Sequence, residues 1–264
     1  PSYIGEVRDV NMLRKVLFLV LMMCLTSCAV RQHVDYKKNL PRQSFVKIEK
    51  DLIIKKCFEG TCMERSFSAV ASGVVIQNRL EGSYVLTAAH VCDEEHTKRE
   101  IENDPNAELK INFFAVTLGL IKKPVTIIKF DNRQDGCLVW VDNLFSPQVV
   151  ISPKAPVPGD TVLNIAAPLG VFSKDMVPIF QGFYNGVSEY KMGVYSLPAF
   201  GGSSGSPIFN QKGELIGMVH SIIRHFNNIA LSPNYWSMRE FINDALEEDI
   251  SNRFFRSLLR PFLK

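Results

Sequence analysis

The sequence predicts an all-β fold made of two packed antiparallel barrels and finished by a C-terminal helix. Three observations point there. Between residues 49 and 232 the apolar residues fall into many short runs separated by turn signals, the pattern of small antiparallel barrels. Residues 153–160, rich in Pro and Gly, mark a hinge between two halves of that region. From Tyr235 to Glu248 the apolar residues Trp236, Phe241, Ile242 and Leu246 recur at helical spacing, suited to packing on the second barrel.

Composition narrows the function classes. At 264 residues, 46% hydrophobic and 22% charged, the chain can bury a sizeable core in one large or two small domains. A net charge of +3, with no basic run in the middle of the chain, does not suggest nucleic acid as a partner. The Cys and His residues show no zinc-ligand spacing, and no Gly-rich phosphate loop precedes a Lys, so no metal or nucleotide cofactor is expected.

Chemistry is concentrated in three stretches. The first, Ala199-Phe200-Gly201-Gly202-Ser203-Ser204-Gly205-Ser206-Pro207, is too rich in Gly and too kinked for a helix or regular strand. Such a turn can expose Ser204 as a nucleophile while the N–H groups of Gly202 and Ser204 point at a developing oxyanion, a contribution of roughly 3 to 4 kcal/mol per donor. An ordinary hairpin loop is the alternative. In the second, Tyr84-Val85-Leu86-Thr87-Ala88-Ala89-His90, an apolar strand ends in small residues and an imidazole able to act as a general base. In the third, Asp135 directly precedes the apolar run Gly136 to Val141, where a buried carboxylate would hold the imidazole in the correct tautomer. Asp131 competes for that role but sits four residues further from the run.

These stretches resemble the trypsin-like (chymotrypsin-fold) serine peptidases, most closely the bacterial Deg-type and glutamyl endopeptidase members. "LTAAHVC" is similar to the family's histidine motif, "DGCLVWV" to its aspartate motif and "GSSGSPIFNQKGELIGMV" to its serine motif; "PVPGDTVLNIAAPLG" also resembles a middle segment of those bacterial members. The resemblance covers roughly residues 66 to 245. It implies two six-stranded barrels, with His90 as base, Asp135 as orienting acid, Ser204 as nucleophile and the Gly202 and Ser204 N–H groups as oxyanion hole. The expected activity is a serine endopeptidase acting on protein or peptide substrates. A catalytically inactive binding or chaperone-like protein on the same fold is the rival; it would predict a lost triad member, and none is lost. Ser203 and Ser206 depart from the commonest family residues without removing a catalytic group. The resemblance also places a substrate pocket at Pro198, Ala199, His220 and Ser221. Pro198 is uncharged, which gives no support to a Lys or Arg preference, and a small or medium apolar preference comes ahead of a glutamyl one.

The remaining regions complete the plan. Residues 1–28 hold upstream residues and a signal segment: Arg14 and Lys15 precede a ten-residue apolar core from Val16 to Leu25, too short to span a bilayer. Leu25-Thr26-Ser27-Cys28 resembles the bacterial lipobox, which makes Cys28 a lipidation site and the protein an exported, membrane-anchored lipoprotein on the periplasmic or cell-surface side, by expectation at the outer membrane. Residues 29–48 read as a polar tether, with an ordered first strand as the alternative; residues 49–152 form the first barrel with His90 and Asp135, residues 153–232 the second with Ser204, and residues 233–264 a helix and basic-apolar tail. That tail is expected to dock on the body, with a membrane surface as the alternative. If the triad forms, Cys92 and Cys137 become neighbours, so the preferred pairing is 57 with 62 and 92 with 137, with free buried thiols as the alternative. The residues themselves do not fix an oligomeric state.

Overall fold

The structure is a computed structural model that describes residue 15 and residues 39–259, apart from 59, 96–97, 99–106 and 224–225. The chain divides into residues 1–38 and 39–264, and the fold belongs to the second unit. The signal segment and Cys28 lie outside the described residues.

Two antiparallel sheets of seven strands make up that unit. The first contains β1 (Phe45–Phe58), β2 (Thr61–Arg79), β3 (Gly82–Ala88), β4 (Ala107–Thr117), β5 (Lys122–Pro124), β6 (Thr126–Asp131) and β7 (Gly136–Asp142), in the order β5-β4-β1-β2-β3-β7-β6. The second contains β8 (Thr161–Ile165), β9 (Ile179–Val187), β10 (Met192–Tyr195), β11 (Pro207–Phe209), β12 (Leu215–Met218), β13 (Ser221–Ile223) and β14 (Phe226–Pro233), in the order β12-β11-β8-β9-β10-β14-β13.

The count of seven reconciles with the six expected. In each sheet the two edge strands are consecutive in the chain: β5 and β6 flank Val125, and β12 and β13 flank Val219 and His220. One bent run of chain therefore pairs with both edges and curls the sheet toward a barrel of six continuous runs, which removes the exposed edges that an open sheet would present. Phe45, Val74, Val85, Leu86 and Leu138 are fully buried in the first sheet, and Val162, Leu197, Ile208 and Ala230 in the second. Each of the larger side chains contributes roughly 1.5 to 3 kcal/mol by leaving water.

Two expectations are corrected. First, β1 begins at Phe45, inside the stretch read as tether: Phe45, Val46 and Ile48 are buried while Lys47 points outward to Glu49, so the alternative of an ordered first strand holds there. Second, the C-terminal helix packs chiefly on the first barrel, not the second. This helix, longer than expected, spans Tyr235–Leu259, and Met238, Phe241, Ile242 and Ala245 form its buried face. The Phe241 ring lies where a Cβ on Gly136 would come within 2.5 Å of it. Tyr84 Oη donates to Asp249, Lys129 pairs with Glu248, and the Arg253 guanidinium stacks 4.3 Å from the Trp140 ring. The start of the basic-apolar tail is thus docked on the body, as preferred. Beyond these, β13 and β14 pair with each other antiparallel, two strands that sequence reasoning does not single out.

Both preferred disulfides are present, Cys57–Cys62 near the tip of the β1–β2 hairpin and Cys92–Cys137 beside the site described next. Among the described residues no helix is long and apolar enough to cross a membrane.

Candidate active site

The first barrel supplies an imidazole and a carboxylate from adjacent strands. β3 and β7 pair in register to their ends, Ala88 opposite Gly136, so the residues just beyond those ends are neighbours. The chain turns into a single helical turn, α1 (Ala89–Cys92), placing His90 at its second position, a step beyond the strand end. Asp135 enters β7 from the other side with φ +45, a conformation Asp tolerates better than most side chains. Its carboxylate is 6% exposed and its Oδ1 accepts from the His90 backbone N–H at 3.2 Å and faces His90 Nδ1 at 3.1 Å. The Cys92–Cys137 bridge ties the same two segments together two residues further on. Asp131, the competitor, caps its own turn by accepting from the Arg133 N–H and reaches neither histidine ring among the described contacts.

A carboxylate can only accept, so His90 carries its proton on Nδ1 and leaves the Nε2 lone pair for a hydroxyl. Burial on its own would raise the pKa of Asp135. Hydrogen bonds from His220 and then His90 outweigh that effect and hold the carboxyl below the ordinary carboxylate value.

The second barrel supplies the hydroxyl. Ser204 and His90 together line two cavities, of about 270 and 420 Å³. Among the described residues nothing hydrogen-bonds to Ser204 Oγ, so the hydroxyl is a free rotor at the cavity wall. The turn that carries it is fixed on three sides. Gly205 N–H donates to Val219 O at 2.8 Å, and a Cβ at Gly205 (φ +81) would lie 2.2 Å from Ser72 O, which wedges the turn against the first barrel. Ser203, fully buried, uses its hydroxyl to accept from the Phe200 N–H at 3.2 Å. Ser206, also buried, accepts from Asn164 Nδ2 at 2.9 Å, which accounts for a hydroxyl there.

The oxyanion donors follow from peptide geometry. In a trans peptide the carbonyl and the next N–H point in opposite directions. Gly201 O accepts from the Leu169 N–H at 2.6 Å, so the Gly202 N–H is turned away from Leu169. Gly202 reaches this orientation with φ +94, and a Cβ there would meet Ala167 O at 2.5 Å. Neither the Gly202 N–H nor the Ser204 N–H finds a protein acceptor among the described residues.

Ser72 on β2, which sequence reasoning missed, clamps this turn from the opposite barrel. Its N–H donates to Ser204 O at 2.8 Å, its hydroxyl donates to Gly202 O at 2.8 Å, and that hydroxyl accepts from the Ala167 N–H at 3.1 Å. A serine in an apolar strand carries no local signal of contacts 95 to 130 residues away.

The expected pocket residues divide. Ala199, His220 and Ser221 line the larger cavity together with Phe200 and Ile222, whereas Pro198 does not line it. His220 differs from its expected role in one respect: its Nδ1 is in close contact with Asp135 Oδ2, so the ring bonds to the Asp135 carboxylate while still bordering the cavity. The side-chain polar atoms of His90, Asp135 and His220 lie within 4.8 Å of one another, near enough for a metal ion to be considered there. Both Nδ1 atoms are already engaged with the carboxylate, and an ion taking those atoms would have to break both contacts.

Comparison with known proteins bears on the family and the fold. Residues 71–218 match the family model for a trypsin-like peptidase domain. The fold is similar to that in the crystal structure of the serine endoprotease from Yersinia pestis, at TM-score 0.59 and 17% identity, covering 83% of this chain and 69% of that one; at that identity the likeness bears on the fold alone. No curated protein matches the sequence.

Proposed function

The chain belongs to the trypsin-like peptidase family, and from that premise we propose that it is a serine endopeptidase working through Ser204, His90 and Asp135. The observation that carries this reading is the buried Asp135 carboxylate on the Nδ1 side of His90, an imidazole that shares its cavities with Ser204. Ser204 Oγ attacks the scissile carbonyl as His90 Nε2 takes its proton. Asp135 stabilises the imidazolium without itself being protonated, and the Gly202 and Ser204 N–H groups receive the oxyanion. His90 then protonates the leaving amine and activates the water that hydrolyses the acyl-enzyme.

Among the described residues the cavity bordered by Ala199, Phe200, Ser221 and Ile222 has no Asp, Glu, Lys or Arg in its wall, which supports a small or medium apolar residue on the acyl side of the cleaved bond. The Arg14–Lys15 pair, the apolar core and the lipobox-like Cys28 support export and anchoring through an acylated Cys28.

The test of the nucleophile is labelling of the full chain with a fluorophosphonate. Wild type should label and Ser204→Ala should not; a wild type that stays unlabelled removes the peptidase reading. For anchoring, palmitate incorporation should disappear in Cys28→Ala, and a label that persists removes the lipoprotein reading.

A further inference from the structure

A carboxylate flanked by two imidazoles is more than a triad requires, and the second imidazole is held by backbone geometry. β12 and β13 are interrupted at Val219 and His220, where the chain changes partner from β11 to β14. There the Val219 N–H donates to Ser206 O, Val219 O accepts from Gly205, and the His220 N–H donates to Leu231 O. The bend that carries His220 is therefore the one from which the nucleophile turn hangs. His220 reaches across to Asp135 Oδ2, while His90 occupies Oδ1 with both its backbone N–H and Nδ1. The two rings meet edge to face with centroids 5.8 Å apart.

We propose that His220 is a positioning residue of the catalytic group: its Nδ1–H fixes Asp135 through Oδ2 and thereby sets how much of the carboxylate's charge is available to His90. The proposal rests on the triad reading above. Since Asp135 can only accept, His220 also carries its proton on Nδ1 and keeps a free lone pair on Nε2. With Oδ2 held by His220, the carboxylate keeps Oδ1 aimed at His90 Nδ1 and offers its charge to the imidazolium forming there. Among the described residues the titratable groups facing His220 are Asp135 and His90; the other walls of its cavity there, Ala199, Phe200, Gly201, Ser204, Val219, Ser221 and Ile222, carry no Asp, Glu, His, Lys or Arg. The His220 side chain is 32% exposed, so its ring borders the cavity while it holds Asp135.

The experiment compares His220→Ala and His220→Asn with wild type by the rate of fluorophosphonate labelling of the full chain at neutral pH. The Asn amide nitrogen sits where Nδ1 does, so it keeps the donor to Asp135 and lacks the ring. Ala should slow the maximal inactivation rate roughly 10- to 100-fold, because a buried acceptor loses its partner, with little change in the concentration giving half that rate. Asn should restore most of the rate. Equal rates in all three proteins overturn the proposal, as does an Asn variant as slow as Ala. If Ala does not fold, the wild-type and Asn rates and the proton spectra decide. Imidazole proton spectra of unreacted wild type should show two strongly downfield Nδ1–H signals and Asn only one; a single signal in wild type overturns the proposal. If wild type does not label at all, the peptidase reading has failed, and the spectra still report on the His220–Asp135 bond separately.

Discussion

Each barrel is closed by one bent run of chain, and the two bends hold different things. At the first, between β5 and β6, the Val125 N–H donates to Phe113 O on β4, so the bond stays within its own sheet. At the second, between β12 and β13, Val219 is bonded on both its N–H and its carbonyl to the turn bearing Ser204, and His220 extends to Asp135 of the other barrel. The same closing device is thus a local joint in one half and a junction of four segments in the other. A bend has backbone groups that the sheet ladder does not use, and those groups are available to fix a neighbouring loop. Among the described residues it is the second bend whose groups hold the turn bearing Ser204.

The comparison fails most visibly if the carboxylate that joins the two halves turns out to be dispensable. Asp135→Asn places an amide N–H group beside one imidazole, which favours the wrong tautomer at His90 and loses the charge that balances the imidazolium. In triads this costs about 10⁴-fold in turnover. Labelling and peptide hydrolysis should both fall by about that factor while the fold is retained; a loss under tenfold would place the acid of the triad elsewhere.

Next in size is Gly205→Ala, which tests the wedge between the catalytic turn and the first barrel. The new Cβ would meet Ser72 O at 2.2 Å and Thr87 Oγ1 at 2.3 Å, with φ at +81 in a region unfavourable to Ala. Backbone has to shift, at a cost of about 3 kcal/mol. Melting should drop by roughly 5 to 10 °C for a unit of this size, and labelling at Ser204 should disappear with it. Normal labelling in a normally stable variant would mean that the turn is not held there.

Ser72→Ala removes the clamp more gently. Its main-chain bond to Ser204 O remains, but the Gly202 carbonyl and the Ala167 N–H each lose a partner in a fully buried place. We expect a loss of about 1 to 3 kcal/mol in stability and a labelling rate lowered several-fold. A stability loss with no kinetic change would limit Ser72 to packing.

These residues differ in how far they were legible beforehand. His90, Asp135 and Ser204 each sit in a local pattern, a strand end or a glycine turn, that marks them without knowledge of the fold. His220 stood out as an imidazole near the serine hairpin, but the family resemblance assigned it to the pocket wall; the bend at Val219 that turns it to Asp135 depends on pairing with two different strands. Ser72 was invisible because its three bonds are all long-range. The start of β1 was read as tether because Lys37, Lys38, Arg42 and Lys47 dominate the composition there, although Phe45, Val46 and Ile48 form its buried face. β14 escaped notice because Asn227 and Asn228 read as turn residues, yet both lie within a strand paired to β10 and β13. Sequence also could not say which barrel the terminal helix would choose, since that depends on Gly136 leaving room for the Phe241 ring.

The smallest expected effect comes from the quiet bend, and it is the control for all the others. Val125 is half-buried, and its one backbone bond within the joint is independent of its side chain. Val125→Ala therefore removes two methyl groups at the barrel surface and leaves the strand pairing intact, for a loss of about 1 kcal/mol. Melting should shift by roughly 2 to 4 °C, with the labelling rate of Ser204 unchanged. If both bends were merely closures, Val125→Ala and His220→Ala would perturb stability and labelling in the same proportion. If the second bend carries the chemistry, only the histidine variant changes labelling out of proportion to its change in melting, and that ratio, measured on the same two proteins, separates a joint from a junction.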